Sequence, residues 1–345
     1  MGDGRRPTLR DVAARAGVSF KTVSRVVNDE PGVSPALTDR VRQAIDELAF
    51  RPNVGARVLR RADPRTGSIG LLLDDVANPF CAGVARAVED VILPRGLVVF
   101  AASTDDDPER ERRLAATFAA RRADGLILMP VGEDQSHLAA ELRAGTAVVC
   151  IDREAHDLPG GYAVDSVVAT NAEGAAAGVR HLLAAGHTRI AFLGDRSSIA
   201  TARARLAGYR AAFADAGVAP DPSLVVPDLD SPAAAQRAAA ALLRRPDPPT
   251  ALFTAQNLVT IGALHALHDL GLRRLVAHVG FDDFPTADLL SPGVTVVAQD
   301  PAAIGRRAAG LLLARMAGEA GPPATHAVAT VLVARGSGEL PPPPR

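Results

Sequence analysis

Apolar residues recur every three or four positions in three short segments near the N-terminus, and this spacing predicts three α-helices. The predicted inward-facing positions are Leu9, Val12, Ala13 and Ala16 in the first segment, Val23, Val26 and Val27 in the second, and Val41, Ile45 and Leu48 in the third.

Polar residues and glycine mark where these helices begin and end. Thr8 and Asp11 have the spacing of a capping box before the first helix. Gly17 ends that helix, because the turn needs a residue that tolerates positive φ. Ser19 caps the second helix, and Ser34, which is followed by proline, starts the third.

After residue 67, short apolar runs alternate with longer segments of helical periodicity. Ten runs predict strands: Ile69–Leu73, Leu97–Ala101, Gly125–Met129, Ala147–Ile151, Ala163–Val168, Arg189–Leu193, Leu224–Val226, Ala251–Phe253, Val276–Gly280 and Thr295–Ala298. The helical segments between them include Pro79–Leu93, Glu109–Arg121, Ala172–Ala185 and Ala200–Ala216. This alternation predicts an α/β fold of parallel sheets covered by helices. Ten strands are many for one sheet, so we expect two lobes behind the all-α head.

Charge is distributed unevenly between these two regions. Residues 1–62 contain 12 Lys and Arg against 7 Asp and Glu, whereas the remainder contains 26 against 32. A small basic head on a larger acidic body is a pattern expected for DNA binding. The chain has only two cysteines, which excludes a disulfide framework and a Cys-rich zinc site.

The first two predicted helices, joined by residues 16–19, have the geometry of a helix-turn-helix. The second helix would expose Phe20, Lys21, Thr22 and Arg25, which are suited to groove contacts. Arg25 can form paired hydrogen bonds with a guanine edge. The alternative is a three-helix bundle that has no role in DNA binding.

The head resembles the DNA-binding domain of the LacI (lactose-repressor) family of transcription factors. The resemblance rests on residues 8–13, 17–19, 22–28, 33–34, 50–53 and 56–59. It implies that the second helix lies in the major groove, where Phe20, Lys21 and Arg25 read bases. The residues expected to act partly as caps and phosphate contacts are Thr8, Ser19, Thr22, Ser24 and Asn28.

The same resemblance implies a hinge helix at residues 53–60. Two turns of helix are too short to be stable alone in water, so the hinge is expected to order where two copies meet in the minor groove. Asn53, Ala56 and Arg57 would contact the DNA, and Leu59 would wedge open the central base step. Gly55 stands where many members have a larger apolar residue, and glycine weakens a helix by about 1 kcal/mol.

The body continues the resemblance and is similar to periplasmic sugar-binding proteins, which implies an effector, expected to be a sugar, bound between two lobes. Ligands in such sheets lie outside the carboxyl ends of the strands. The implied effector-binding residues are Phe80, Asp152, Arg153, Arg205, Gln256, Asn257, Asp282 and Gln299. Phe80 would face the C–H side of the ring, and the charged groups would bind hydroxyls. The alternative is that Asp152, Arg153 and Asp282 form structural ion pairs or strand-end caps.

Three departures from the family leave the effector's identity open. Gln256 and Asn257 stand where an Asn-Asp pair is frequent, so one charged acceptor for a hydroxyl pair is missing. Thr170 and Asn171 stand where the family frequently has an Asp-Asn pair. The segment 273–278 is shorter than is usual in the family.

These signals together predict a domain plan. We expect a head at 1–62, a linker at 63–67, a two-lobed effector-binding and dimerisation domain at 68–335, and a disordered tail at 336–345. Lobe 1 is expected to comprise about 68–169 and 300–320, and lobe 2 about 170–298 and 323–335. The tail has no leucine heptad, so the helix with which some members of the family form tetramers is absent, and a homodimer is expected. Such a dimer would bind a palindromic operator on double-stranded DNA.

The sequence offers no pattern typical of catalysis. No dinucleotide-binding, phosphate-binding, nucleophile-elbow or metal-ligand motif is present, so we expect no enzyme activity, no cofactor and no metal. The polar N-terminus and the lack of a long apolar run predict a cytoplasmic, nucleoid-associated protein without a membrane span. Two alternatives are a protein that only captures a solute and an α/β enzyme. The helix-turn-helix argues against the first, and the missing motifs argue against the second.

Overall fold

The computed structural model describes residues 7–28, 30–51, 66–319 and 321–344. The chain divides between Thr66 and Gly67 into two compact units.

The N-terminal unit contains three helices, namely α1 (Leu9–Ala16), α2 (Phe20–Val27) and α3 (Pro35–Glu47). Their inner faces bury Val12, Val23 and Val41 completely. Gly17 adopts φ +62° between α1 and α2, as its position predicts. The side chain of Arg40 on α3 donates to the carbonyl of Ala16 over 2.6 Å, which satisfies an open carbonyl at the end of α1 and fixes the turn.

The second unit contains two six-stranded sheets. The strands are β1 (Ser68–Leu73), β2 (Val98–Ser103), β3 (Gly125–Leu128), β4 (Ala147–Ile151), β5 (Asp165–Ala169), β6 (Ile190–Leu193), β7 (Val225–Val226), β8 (Ala251–Thr254), β9 (Ala277–Phe281), β10 (Thr295–Ala298), β11 (Thr325–Val328) and β12 (Val331–Val333). The sheet orders are β11-β5-β4-β3-β1-β2 and β12-β10-β9-β8-β6-β7. Every pairing is parallel except that of β10 with β12.

Helices connect the parallel strands, as parallel pairing requires. They are α4 (Pro79–Ile92), α5 (Pro108–Ala120), α6 (Ala139–Arg143), α7 (Asn171–Ala184), α8 (Ala200–Asp215), α9 (Pro232–Leu243), α10 (Asn257–Asp269) and α11 (Pro301–Ala317). The first sheet with α4, α5, α6 and α11 is called lobe 1 below, and the second sheet with α7 to α10 is called lobe 2. The predicted α/β class with two lobes is confirmed.

Each lobe has its own apolar core, because its central strands are buried on both faces. In lobe 1, Leu71 and Leu73 of β1 pack with Val84 of α4 and Leu312 of α11. In lobe 2, the ring of Phe192 meets that of Tyr209 edge to face, with centroids 5.3 Å apart, and stacks on that of Phe253, with centroids 6.1 Å apart.

The chain crosses between the lobes three times, at residues 169–171, 298–301 and 328–331. Two of these crossings are tied together by Thr170 and Thr330. Their hydroxyls are 3.1 Å apart, and the amide of Thr330 donates to the hydroxyl of Thr170 over 2.9 Å. These two crossings therefore form a joined connection between the lobes.

The last two strands are not among the ten that the sequence predicts, and one corrects the lobe boundary. Residues 323–335 were expected in lobe 2, but β11 pairs with β5 and so completes the sheet of lobe 1. Only β12 belongs to lobe 2. Both are edge strands, and their side chains are exposed or half-buried.

The tail also differs from expectation, because residues 336–340 pack against lobe 2 instead of being disordered. The hydroxyl of Ser337 accepts from the amide of Thr295 over 2.9 Å and donates to the carbonyl of His278 over 2.6 Å. His187 contacts the carbonyl of Leu340 over 2.8 Å. Side-chain pairing with distant residues orders this Gly- and Pro-rich segment, and composition alone does not reveal it.

No helix among the described residues is long and apolar enough to cross a membrane.

Candidate DNA-binding surface and effector cleft

Helix α2 presents a polar and basic surface opposite its buried valines. Phe20 is 42% exposed, Lys21 is also exposed, and Arg25 is half-buried. A shallow groove beside this face is lined by Lys21 and Arg25 and by Gly32 and Leu37 of the following segment. The arrangement presents two cations and an aromatic ring on one side of a short helix.

The small polar residues of this surface are partly engaged in capping. Thr8 and Asp11 form the predicted capping box, in which the amide and the hydroxyl of Thr8 donate to the Asp11 carboxylate over 2.7 and 2.6 Å. Ser19 accepts from the amide of Thr22 over 3.1 Å at the start of α2. The remaining two predicted residues are at the end of α2, where the side-chain amide of Asn28 donates to the hydroxyl of Ser24 over 3.5 Å.

In lobe 1, Arg153 is the centre of a charged cluster just past the end of β4. Its guanidinium donates to Asp106 over 2.6 Å and to the carbonyl of Pro130 over 3.2 Å, and its Nε lies 3.4 Å from Asp152. Burial lowers the pKa of Arg153, but Asp106 and Asp152 outweigh burial and raise the pKa above its ordinary value. Arg153 is therefore a fixed cation inside a carboxylate shell.

In lobe 2, Arg205 projects from α8 and is surrounded mainly by neutral groups. It donates to the side-chain carbonyl of Asn171 and to the carbonyl of Ala255, each over 2.8 Å. Its guanidinium carbon lies 3.9 Å from the centroid of the Phe281 ring. Its contact with Asp282 is longer, at 3.5 Å.

Asp152 and Asp282 occupy equivalent places in the two lobes, one after β4 and the other after β9. Both have positive φ, 63° and 69°, which is uncommon for a residue with a side chain. The amide of each donates over 2.9 Å to the neighbouring strand, at Val167 and Val297. Gln299 donates to Asp282 over 2.6 Å. Strained residues of this kind concentrate at functional sites, so the pair is a strong indication of the cleft.

Three further carboxylates, at Asp74, Asp106 and Asp195, belong to the same region, and sequence reasoning missed them. Asp74 follows β1 and Asp195 follows β6, which hold the same place in the two sheets. Burial, followed by the nearby Asp106, raises the pKa of Asp74 to about 6, and burial also raises the pKa of Asp195. No salt bridge found among the described residues includes Asp74 or Asp195. The rule that ligands bind at strand ends was enough to identify both.

The remaining predicted effector contacts are engaged within the protein. Asn257 is completely buried and hydrogen-bonded to Asn78 of lobe 1. Gln256 caps α10, where its Oε1 accepts from the amides of Leu258 and Val259. Phe80 is half-buried and packs on the core of lobe 1. The structure therefore brings Asp152, Arg153, Arg205, Asp282 and Gln299 to the strand ends and gives Gln256 and Asn257 structural partners.

Four predicted DNA contacts, at Asn53, Ala56, Arg57 and Leu59, lie outside the described residues, as does the rest of the 53–60 hinge. Within the ranges that are described, no group of three or more His, Cys, Asp or Glu side chains could hold a metal ion.

Comparison with known proteins gives two family matches. Residues 8–53 match the model of the bacterial regulatory proteins of the lacI family. Residues 179–338 match the periplasmic binding protein-like domain.

Individual relatives match over almost the whole chain. The HTH-type transcriptional regulator CelR of Thermobifida fusca is 35% identical over 97% of this chain and 99% of its own length. The regulator GalR of Escherichia coli K12 is 31% identical over 97% and 96%. Among solved structures, the lac repressor dimer bound to operator and the anti-inducer ONPF is 27% identical. It has a TM-score of 0.81 and covers 97% of this chain and 99% of its own. A complex of the regulator CelR with cellobiose is 33% identical, with a TM-score of 0.70 and coverage of 96% and 100%.

Proposed function

The chain belongs to the LacI family of bacterial transcriptional regulators, and from this premise we propose that it binds a palindromic operator under the control of a carbohydrate held between its two lobes. Membership of a regulator family sets aside the alternative that the protein only captures a solute. The observation that carries the proposal is the pairing of a basic, exposed α2 surface with a cleft where carboxylates and arginines converge at strand ends.

The proposed DNA contacts divide into two kinds. Lys21 and Arg25 flank the groove beside α2, and Phe20 extends from the same exposed surface, so these three side chains are assigned to base edges in the major groove. Thr8, Ser19, Thr22, Ser24 and Asn28 are assigned to the phosphate backbone, which positions the head. The hinge residues Asn53, Ala56, Arg57 and Leu59 are assigned to the minor groove.

The proposed effector site consists of Asp152, Arg153, Arg205, Asp282 and Gln299, with Phe80 at its border. Carboxylate and guanidinium groups fixed by burial make strong charge-assisted hydrogen bonds to hydroxyls. The relative CelR was solved with cellobiose, which supports a carbohydrate as the ligand class. Asp74 and Asp195, which extend from opposite lobes without a salt-bridge partner in the described chain, are added as hydroxyl acceptors.

A homodimer is proposed as the DNA-binding form, as in the lac repressor dimer on operator. Strand β2 forms an edge of the lobe 1 sheet and exposes Val98 and Phe100 by 45% and 47%, with Leu93 beside it by 51%. Apolar side chains on a sheet edge favour association. We assign this edge to the dimer interface. Effector binding would shift the lobes and thereby change DNA affinity, and DNA must then change effector affinity by the same factor.

The DNA proposal is tested with operator fragments selected from a random library by the full-length protein. Arg25→Ala is expected to relax base preference by about 1–3 kcal/mol at one position of each half-site. Lys21→Ala is a matched comparison on the same face. Absence of any sequence-preferring binding at moderate salt would refute the proposed function.

The effector proposal is tested by thermal shift of the full-length protein against a panel of mono- and disaccharides. A ligand that binds only the folded state raises the melting temperature by mass action. Arg205→Met is expected to abolish the rise in melting temperature produced by any ligand that the parent binds. Arg203 is exposed, and Arg203→Met is expected to retain the rise. A ligand that shifts the Arg205 variant as strongly as the parent would place the site elsewhere.

A further inference from the structure

A pair of buried side-chain amides joins the two lobes. Asn78 is the N-cap of α4 in lobe 1, and Asn257 is the first residue of α10 in lobe 2. Nδ2 of Asn257 donates to Oδ1 of Asn78 over 2.9 Å, and Nδ2 of Asn78 donates to Oδ1 of Asn257 over 3.3 Å. Asn78 is 8% exposed and Asn257 is not exposed at all, so water competes little for these bonds.

The orientation of each amide is set by its own helix. Oδ1 of Asn78 also accepts from the amide of Phe80 over 3.0 Å, and Oδ1 of Asn257 accepts from the amide of Leu258 over 2.8 Å. These oxygens satisfy N–H groups that the first turn of a helix leaves open. The two NH₂ groups are therefore the ones that point across to the other lobe. A carboxylate at either position would keep the cap but remove one of the two donors.

The pair lies away from the covalent crossings between the lobes. The chain crosses between lobes at residues 169–171, 298–301 and 328–331, and neither Asn78 nor Asn257 belongs to a crossing. Movement of the lobes about the crossings must break both hydrogen bonds. Among the described residues, an ion pair also joins the lobes, between Arg203 and Glu133. Their side chains are 47% and 69% exposed, and exposed ion pairs of this kind contribute little.

We propose that the Asn78–Asn257 pair is a latch that holds the two lobes together before the effector binds. The consequence of the latch rests on the proposed function. In a regulator controlled by lobe movement, the latch sets the closed-to-open ratio of the lobes before the effector binds. Asn257 is fully buried, and both polar atoms of its side chain are engaged within the protein, so we assign this residue to lobe closure.

The test measures the distance between the lobes in the full-length protein without any ligand. Spin labels are attached to cysteines at Ala116 of α5 and Ala214 of α8, both exposed and on different lobes. The native Cys81 and Cys150 are buried, and burial raises the pKa of both thiols, so they stay unlabelled. Labelled protein is diluted into unlabelled protein, so that distances within one chain dominate the pulsed paramagnetic resonance signal.

Asn257→Asp and Asn78→Asp are each expected to lower the closed-to-open ratio about fivefold, the effect of one lost hydrogen bond. The double variant, with two facing carboxylates, is expected to open further. Asn78→Ser, which keeps a capping hydroxyl but cannot pair with Asn257, is a second route to the open state. The control is Ser231→Asp, which places a carboxylate at the N-cap of α9 within lobe 2 and should leave the distances unchanged.

Distance distributions that coincide with the parent in folded variants would overturn the latch. This outcome is distinguishable from failure of the proposed function, because the distances are measured without DNA or effector. If the variants open but the protein binds no operator, the latch is supported and the proposed regulator function is refuted. If the protein binds an operator but the variants keep the parent distances, the proposed function is supported and the latch is refuted.

Discussion

The two lobes bury an arginine at the same cleft but stabilise it in different ways. Arg153 in lobe 1 is held by two carboxylates, Asp106 and Asp152. Arg205 in lobe 2 is held by an amide oxygen, a backbone carbonyl and the face of Phe281, with Asp282 at 3.5 Å. One lobe compensates buried charge with opposite charge, and the other compensates it with dipoles and a ring.

This difference sets how completely the buried charge of each lobe is compensated. The carboxylates around Arg153 are partly neutralised by it, so lobe 1 presents a preformed ion cluster whose geometry is fixed. Burial raises the pKa of Asp282, and Arg205 and Gln299, which lower it, do not fully offset burial. The buried charge in lobe 2 is therefore less completely compensated than the charge in lobe 1.

The largest expected effect comes from removing each arginine in turn. Arg153→Met leaves Asp106 and Asp152 without their buried cation, and we expect the free energy of unfolding to fall by about 3–5 kcal/mol at pH 8. Arg205→Met leaves one carboxylate and keeps an apolar contact with Phe281, so we expect a smaller loss, of about 2 kcal/mol. Urea unfolding of the full-length variants measures both.

The exposed Arg203→Met serves as the control for this pair and should cost under about 0.5 kcal/mol. Equal losses for Arg153→Met and Arg205→Met would show that the two environments do not differ in energy.

The interiors of the lobes also contain different titratable groups. In lobe 1, Glu111 accepts from the amide of Val131 over 2.6 Å and lies 3.3 Å from His137, and burial raises the pKa of Glu111 to about 7. In lobe 2, His278 contacts the hydroxyl of Thr254 over 2.9 Å, and burial lowers its pKa to about 4. Folded lobe 1 thus holds a proton that its unfolded chain releases, and folded lobe 2 excludes one that its unfolded chain takes up.

These shifts predict opposite pH dependences, each of about 3 kcal/mol. Between pH 7 and pH 4.5, protonated Glu111 makes lobe 1 more stable as the pH falls. Between pH 6.5 and pH 4, neutral His278 makes lobe 2 less stable as the pH falls. Glu111→Gln should remove the first trend and raise stability at pH 8, and His278→Gln should remove the second. Urea unfolding from pH 8 to pH 4 distinguishes them, and variants that leave the slope unchanged would contradict the assignment.

Periodicity and strand-end position were sufficient to predict the architecture and part of the cleft. Capping residues such as Ser19 and the apolar period of α2 are local features, and the structure places them as expected. The family resemblance implied Asp152 and Asp282, and both follow buried strands, where ligands of parallel sheets are expected. Asp74 and Asp195 also follow buried strands, but the resemblance did not imply them.

The features that sequence reasoning missed depend on contacts between distant residues. The pairing of Asn78 with Asn257 joins positions 179 residues apart, and no local pattern marks it. Strand β11 is recognised only through its partner β5, because its own residues alternate between exposed and half-buried. Ser337 is ordered by Thr295 and His278, in a segment whose composition favours disorder.

The smallest expected change in the closed-to-open ratio of the lobes comes from the exposed ion pair that joins them, which can be compared directly with the buried amide pair. Glu133 of lobe 1 lies 3.2 Å from Arg203 of lobe 2, with both side chains largely in solvent. Glu133→Gln should change the closed-to-open ratio of the lobes by about twofold or less, since exposed pairs contribute roughly 0.2–1 kcal/mol and are screened by salt.

The same spin-label distances, recorded at 50 mM and at 1 M salt, measure this change in the closed-to-open ratio. The parent should approach the Glu133 variant at high salt, whereas the Asn257→Asp variant should stay open at both concentrations. A Glu133→Gln effect as large as that of Asn257→Asp would mean that surface charge, and not the buried amide pair, holds the lobes together.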